Sequence, residues 1–205
     1  KHPVYMRSLS KKEVLELYLA NITGFYSSRG MHEKAIALSK IAQRVIPDEA
    51  GVHDSLGQIY QKLGRYEQAI PEFEKAIDLH PNLTPAYINL GVAYEHLGRR
   101  DRAVALYKKV LSIKLPSPVY EQYIEALAGA HANLGTVHYE EKRLDEAISE
   151  FEQAIAIYPN MADAHFNLGT SYVQKEMFDK ATPAFQTAVS LNPKHPKAHY
   201  NLALM

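Results

Sequence analysis

Side chains able to do chemistry recur in this sequence at a fixed spacing. His131, His165 and His199 stand 34 residues apart, and His53 lies 78 residues before the first of them. Imidazole is a common metal ligand, but a metal site gathers three or four donors, and no close His, Asp or Glu cluster accompanies these histidines. The spacing therefore predicts packing positions and no metal. Glu140–Glu141 and Glu150/Glu152 could serve as acid and base only inside a cleft; their setting predicts solvated faces. The chain has no cysteine, which removes disulfides and thiol nucleophiles. It also has no phosphate-cradling glycine loop, dinucleotide fingerprint or nucleophile elbow. The expectation is a protein with no catalytic activity of its own and no cofactor. What remains is a series of amides, Asn21, Asn89, Asn133, Asn167 and Asn201, with Ser55 in the one gap. A side-chain amide offers donors and acceptors together and can bond a peptide unit of any sequence.

Both series fall on one repeat. Copies begin at Glu16, Ala50, Thr84, Ala128, Ala162 and Pro196, so four of five intervals are 34 residues and the third is 44. Position 7 of each copy is Ile22, Leu56, Leu90, Leu134, Leu168 and Leu202. Position 8 is glycine at Gly57, Gly91, Gly135 and Gly169, and position 11 is tyrosine at Tyr26, Tyr60, Tyr94 and Tyr172. With position 4 these form one helical stripe, and the small residue at 8 lets another helix come close. Position 20 is always alanine, position 24 is aromatic except at Ser39, and position 27 is small, which makes the stripe of a second helix. Proline at position 32 (Pro47, Pro81, Pro159, Pro193) ends that helix.

His53, Leu56, Gly57, Tyr60, Ala69, Phe73 and Pro81 follow the pattern W-x2-L-G-x2-Y, A-x3-F, P of the tetratricopeptide repeat family. The chain resembles that family from residue 16 to 205, with repeats at 16–49, 50–83, 84–117, 128–161 and 162–195 and a partial copy at 196–205. The resemblance implies an all-α fold, a right-handed superhelical solenoid of antiparallel helix pairs with the first helices lining a concave groove. It implies a non-catalytic scaffold that binds a peptide or partner protein there. Two other readings stay open: the substrate-selecting arm of a larger enzyme such as a glycosyltransferase, and a self-assembling scaffold.

Positions 2, 5, 6, 9 and 13 point away from the packing stripe and into that groove. The position-6 series (Asn21, Ser55, Asn89, Asn133, Asn167, Asn201) reads either as a ladder gripping a peptide backbone or as amides bonding a neighbouring helix. Similar ladders occur in the superhelix of O-linked N-acetylglucosamine transferases. Ile88, Val92, Tyr139 and Phe166 read either as pockets for ligand side chains or as filling between helices. The two-carboxylate clamp of chaperone-binding relatives is not expected, because position 5 is never basic and only Lys197 is basic at position 2.

Lys+Arg and Asp+Glu both number 23, which gives zero net charge. A nucleic-acid or anionic-membrane binder needs a basic excess, so neither partner is expected. No apolar run approaches the roughly 20 residues of a membrane-spanning helix, no signal peptide is visible, and a cytoplasmic location is favoured. Residues 1–15 read as an extended lead-in followed by a helix from Lys11, with Ser10 and Glu13 as a capping box. The insert 118–127 reads as a forward extension of the fourth repeat's first helix, capped by Ser117–Pro118 and bearing Tyr120, Tyr123, Ile124 and Leu127. Lys1 at the start and the half repeat at the end predict a piece cut from a longer protein. Ala203, Leu204 and Met205 would leave an apolar edge, so weak self-association through the C-terminal end is expected.

Overall fold

The computed structural model describes residues 10–113 and 121–205. The chain divides into two compact units, Lys1–Ala93 and Tyr94–Met205. The first holds α1 (Lys11–Ser28), α2 (His32–Val45), α3 (Ala50–Lys62), α4 (Tyr66–Leu79) and most of α5 (Thr84–His96). The second holds the end of α5, then α6 (Arg100–Ser112), α7 (Glu121–Glu140), α8 (Leu144–Ile157), α9 (Ala162–Gln174), α10 (Phe178–Leu191) and α11 (Pro196–Ala203). Among the described residues there is no strand. The all-α helix-pair class expected from the sequence is what the structure shows. The lead-in 1–9 and the segment from Ser117 to Tyr120 lie outside the described residues; α1 does begin at Lys11, directly after Ser10.

Short turns make each pair antiparallel, and their backbone explains the turn residues. Gly30, Gly64 and Gly98 adopt φ near +70°, the left-handed region open to glycine. The next N–H then reaches five residues back, as in Arg65 N–H to Tyr60 O (2.9 Å), Arg143 N–H to His138 O (2.9 Å) and Met177 N–H to Tyr172 O (2.9 Å). These bonds satisfy helix-end carbonyls. Lys142 (φ 62°) and Glu176 (φ 58°) hold the same conformation without being glycine. Side-chain N-caps are absent from α2, α4, α6, α8 and α10. These short helices therefore depend on burying an apolar stripe.

The stripe has one recurrent socket. A Cβ added to Gly57, Gly135 or Gly169 would lie 2.6, 2.7 or 2.8 Å from the ring of Phe73, Phe151 or Phe185. The space opened by position 8 is thus taken by the position-24 ring of the same repeat. The three rings are 0–1% exposed, and the position-20 alanines, Ala35, Ala69, Ala103, Ala147 and Ala181, are all at 0%. Close-packed side chains of this size carry much of a small repeat's stability.

α7 has 20 residues where α3, α5 and α9 have 13. Its extra first turns are braced in unit 2: Tyr123 Oη donates to the Ile113 carbonyl at 2.7 Å, and Ala126 is buried.

Candidate functional site

Position 4 shows what the histidines do. His165 Nε2 and His199 Nε2 each donate to a proline carbonyl six residues back, Pro159 O and Pro193 O, at 2.9 Å. Tyr87 Oη does the same to Pro81 O at 3.0 Å, and His53 Nε2 lies 3.3 Å from Pro47 O. The position-32 proline ends one repeat, and the position-4 side chain of the next takes up its carbonyl. His53 Nδ1 also lies 2.8 Å from Glu72 Oε2, to which Gln43 Nε2 donates at 2.6 Å. His131 Nδ1 lies 2.6 Å from Glu150 Oε2, and Tyr172 Oη donates to Glu152 at 2.9 Å. Glu152 is exposed and Glu150 half-buried, and both accept bonds from the first helix of their own or the following repeat. Among the described residues no group of three or more His, Asp or Glu side chains comes together as a metal site.

In unit 2 the first helices α7, α9 and α11 expose a row of residues around a cavity of about 630 Å³. Two of the amides, Asn133 on α7 and Asn167 on α9, line it with Phe166. Gly129 and Ala132 leave the α7 wall low, while Met161, His195 and Lys197 close the other side. Phe166 is half-buried; its ring lies 5.8 Å from that of Phe185 and 4.7 Å from that of His195. It therefore both fills space between helices and floors the cavity. His195 Nδ1 accepts from Ala198 N–H at 3.1 Å, which caps α11 and turns Nε2 toward Asp163 Oδ1 at 3.4 Å. Tyr139, half-buried against the core, joins Asn167, Thr136 and Thr170 around a smaller cavity of about 40 Å³.

The remaining members of the series are placed differently. Asn201 is half-buried on α11 and does not line the 630 Å³ cavity. In unit 1, Asn21 and Ser55 are exposed, whereas Asn89, Ile88 and Val92 are half-buried on α5. Two amides are engaged inside the fold. Asn133 lies beside the buried Tyr107 hydroxyl, which donates to Glu95 at 2.8 Å. Burial raises the Tyr107 pKa, helped by the Glu95 charge and the bond to it, and Asn133 opposes that rise. Asn89 faces Asp54, whose Oδ2 accepts from Gln58 Nε2 at 2.7 Å. The backbone carbonyl of Asn167 accepts from Ser171 Oγ at 2.8 Å, but its side-chain amide has no hydrogen-bond partner among the described residues. Met161 and His195 escaped the sequence pattern because they lie on the turns before first helices, outside the positions expected to face a groove, whereas Lys197 stands at groove position 2.

Asp54 supplies a pH-dependent expectation. Burial pushes its carboxyl above the usual value of 3.8, against smaller lowering by Gln58 and Asn89. A raised acid costs stability when ionised: the cost is absent below the unfolded value and complete above the folded one. Asp54→Asn should therefore raise the thermal midpoint at pH 7, with the gain shrinking as pH falls toward 4. Thermal scans across that range check it, and a gain that is independent of pH contradicts the cause.

Within each unit, helix pairs of one design pack in sequence and expose first-helix side chains, which defines a helical-repeat scaffold for protein interaction. Tetratricopeptide repeat models match residues 48–115 and 162–195, and a TPR repeat model matches 135–176. The chain belongs to the tetratricopeptide repeat family, as the position pattern implied. It is similar to MamA, with 25% identity over 92% of this chain and 97% of that one, and a TM-score of 0.65. It is also similar to YrrB, described as a TPR protein with an unusual peptide-binding site, with 25% identity over 89% of each chain and a TM-score of 0.60. PilF of Pseudomonas aeruginosa shares the fold at 16% identity over 92% of this chain and 82% of that one, with a TM-score of 0.80. Comparison with curated proteins finds no match. No helix among the described residues is long and apolar enough to cross a membrane.

Proposed function

We propose that the groove of unit 2 holds an extended peptide segment of a partner protein. The observation that carries this is the pairing of an uncommitted amide, Asn167, with an aromatic floor, Phe166, in a cavity of about 630 Å³. A backbone amide of the ligand bonds Asn167, and an apolar ligand side chain rests on Phe166 between Ala132 and Met161. The likeness to YrrB supports a peptide as the class of ligand. Random peptides displayed and selected on the full chain test the proposal. A selected peptide should lose binding to Ala132→Trp, which fills the cavity from α7, while helicity and thermal midpoint hold. Peptides that bind this variant as well as the parent overturn the proposal, as does a selection that enriches none.

The C-terminal edge supports weak self-association as a second contact. Leu202 packs back on the core of unit 2, while Tyr200 and Leu204 are 66% and 64% exposed. Light scattering over a concentration series should show association that disappears on removal of 196–205. A parent chain that stays monomeric at high concentration ends this idea.

A further inference from the structure

The first repeat departs from the socket found in repeats two, four and five, and the departure leaves a cavity. In three repeats a phenylalanine ring from the second helix lies on a glycine of the first. Repeat one has Thr23 in place of the glycine and Ser39 in place of the ring. Both are buried, at 6% and 2% exposure. Serine is far smaller than phenylalanine, and the threonine side chain only partly makes up the difference. At this place α1, α2 and α3 enclose a cavity of about 420 Å³, walled by Leu19, Ala20, Thr23, Ser39, Ala42 and Val52. Its lining is mainly apolar, its size is in the range of small-ligand sites, and Leu17 at its edge is 55% exposed.

Among the described residues, one charged group lines this cavity. Glu49 precedes α3, and its Oε1 lies 3.5 Å from where a Cβ on Gly51 would stand, so the carboxylate folds over that glycine at the cavity wall. Glu49 caps no N–H of α3, and its side chain has no ion-pair or hydrogen-bond partner among the described residues. An apolar cavity bordered by an unpaired carboxylate complements an apolar group that carries a positive charge nearby.

We propose that this cavity is a binding pocket for a bulky apolar side chain, preferably aromatic, presented by a partner with a cationic group beside it. The chain's own packing shows what the place accepts: in three other repeats a phenyl ring enters the corresponding space from within. In repeat one the ring comes from the ligand, and its neighbouring ammonium or guanidinium meets Glu49. The site lies wholly in unit 1 and does not depend on the peptide groove of unit 2.

Phenethylammonium and its acidic counterpart 3-phenylpropionate are suitable probes, titrated into the full chain and followed by amide NMR shifts. Phenethylammonium should move the amides of Thr23, Ser39, Ala42 and Val52, with a Kd on the order of 1 mM for so small a ligand. The acid should bind about tenfold more weakly or not at all, and Glu49→Gln should weaken the amine about tenfold. The double variant Thr23→Gly with Ser39→Phe gives repeat one the residues of the other sockets; it should raise the thermal midpoint and abolish the shifts. Ala20→Leu, at an exposed α1 position, blocks the mouth without entering the core and should give the same loss if the double variant does not fold. Equal affinity for amine and acid, unchanged by Glu49→Gln, overturns the charge assignment and with it the proposal. Undiminished binding to the plugged and blocked variants overturns the site. A chain that dimerises through this face and binds neither probe also overturns it, because the occupant is then a second copy.

Discussion

Phe151→Ala should destabilise the protein by about 3–5 kcal/mol, the usual result of removing a buried phenyl group. The ring is 1% exposed, and its edge lies against Gly135, where no side chain is available to move into the void. The sharper expectation concerns the pair. Gly135→Leu alone should also destabilise, because a Cβ there already stands 2.7 Å from the ring. Combined with Phe151→Ala, the leucine enters the vacated space, so the double variant should be more stable than the sum of the two losses predicts. Urea denaturation of the four proteins gives the coupling, which should exceed about 1 kcal/mol for residues in direct contact. Strictly additive losses would show that glycine and ring do not form one socket.

The second large effect separates two amides at the same repeat position. Asn133→Ala should lower the thermal midpoint by removing the amide beside the buried Tyr107 hydroxyl, a loss of about 1 kcal/mol if that amide satisfies the hydroxyl. Asn167→Ala should leave the midpoint unchanged, because that amide has no partner among the described residues. Its effect should fall on the peptide selected against the groove: about 1 kcal/mol, or roughly fivefold in Kd. Thermal denaturation and fluorescence anisotropy on both variants check the split. An Asn167→Ala protein that melts early but binds normally would make the amide row structural and remove the main support of the groove.

The same residue type at the same repeat position thus has different partners, and that marks the limit of what a sequence pattern conveys. Position 20 is alanine in every repeat and is at 0% exposure in every repeat. That correspondence is local: a 34-residue unit packs its two helices on each other through fixed positions, so periodicity alone identifies the buried stripe. A left-handed residue is needed wherever the first helix must reverse within three residues. Glycine supplies it at Gly30, Gly64 and Gly98.

The polar contacts follow another rule. That His165 bonds Pro159 O, or that Glu150 is drawn to His131, depends on distances of a few tenths of an ångström between helices. Such distances come from the packing of every side chain in between. The cavity beside Asn167 and the void beneath Ser39 have the same origin, because empty space is bounded by residues from three helices or a turn and appears in no single repeat. The sequence by itself therefore determined the repeat, its helices and the residues that pair them, since burial of an apolar stripe is encoded by spacing along one short unit. Only the tertiary structure decided which amides are committed, where carboxylates find donors and where space is left for a ligand. Hydrogen bonds and cavities depend on interatomic distances that arise only after the units have packed together.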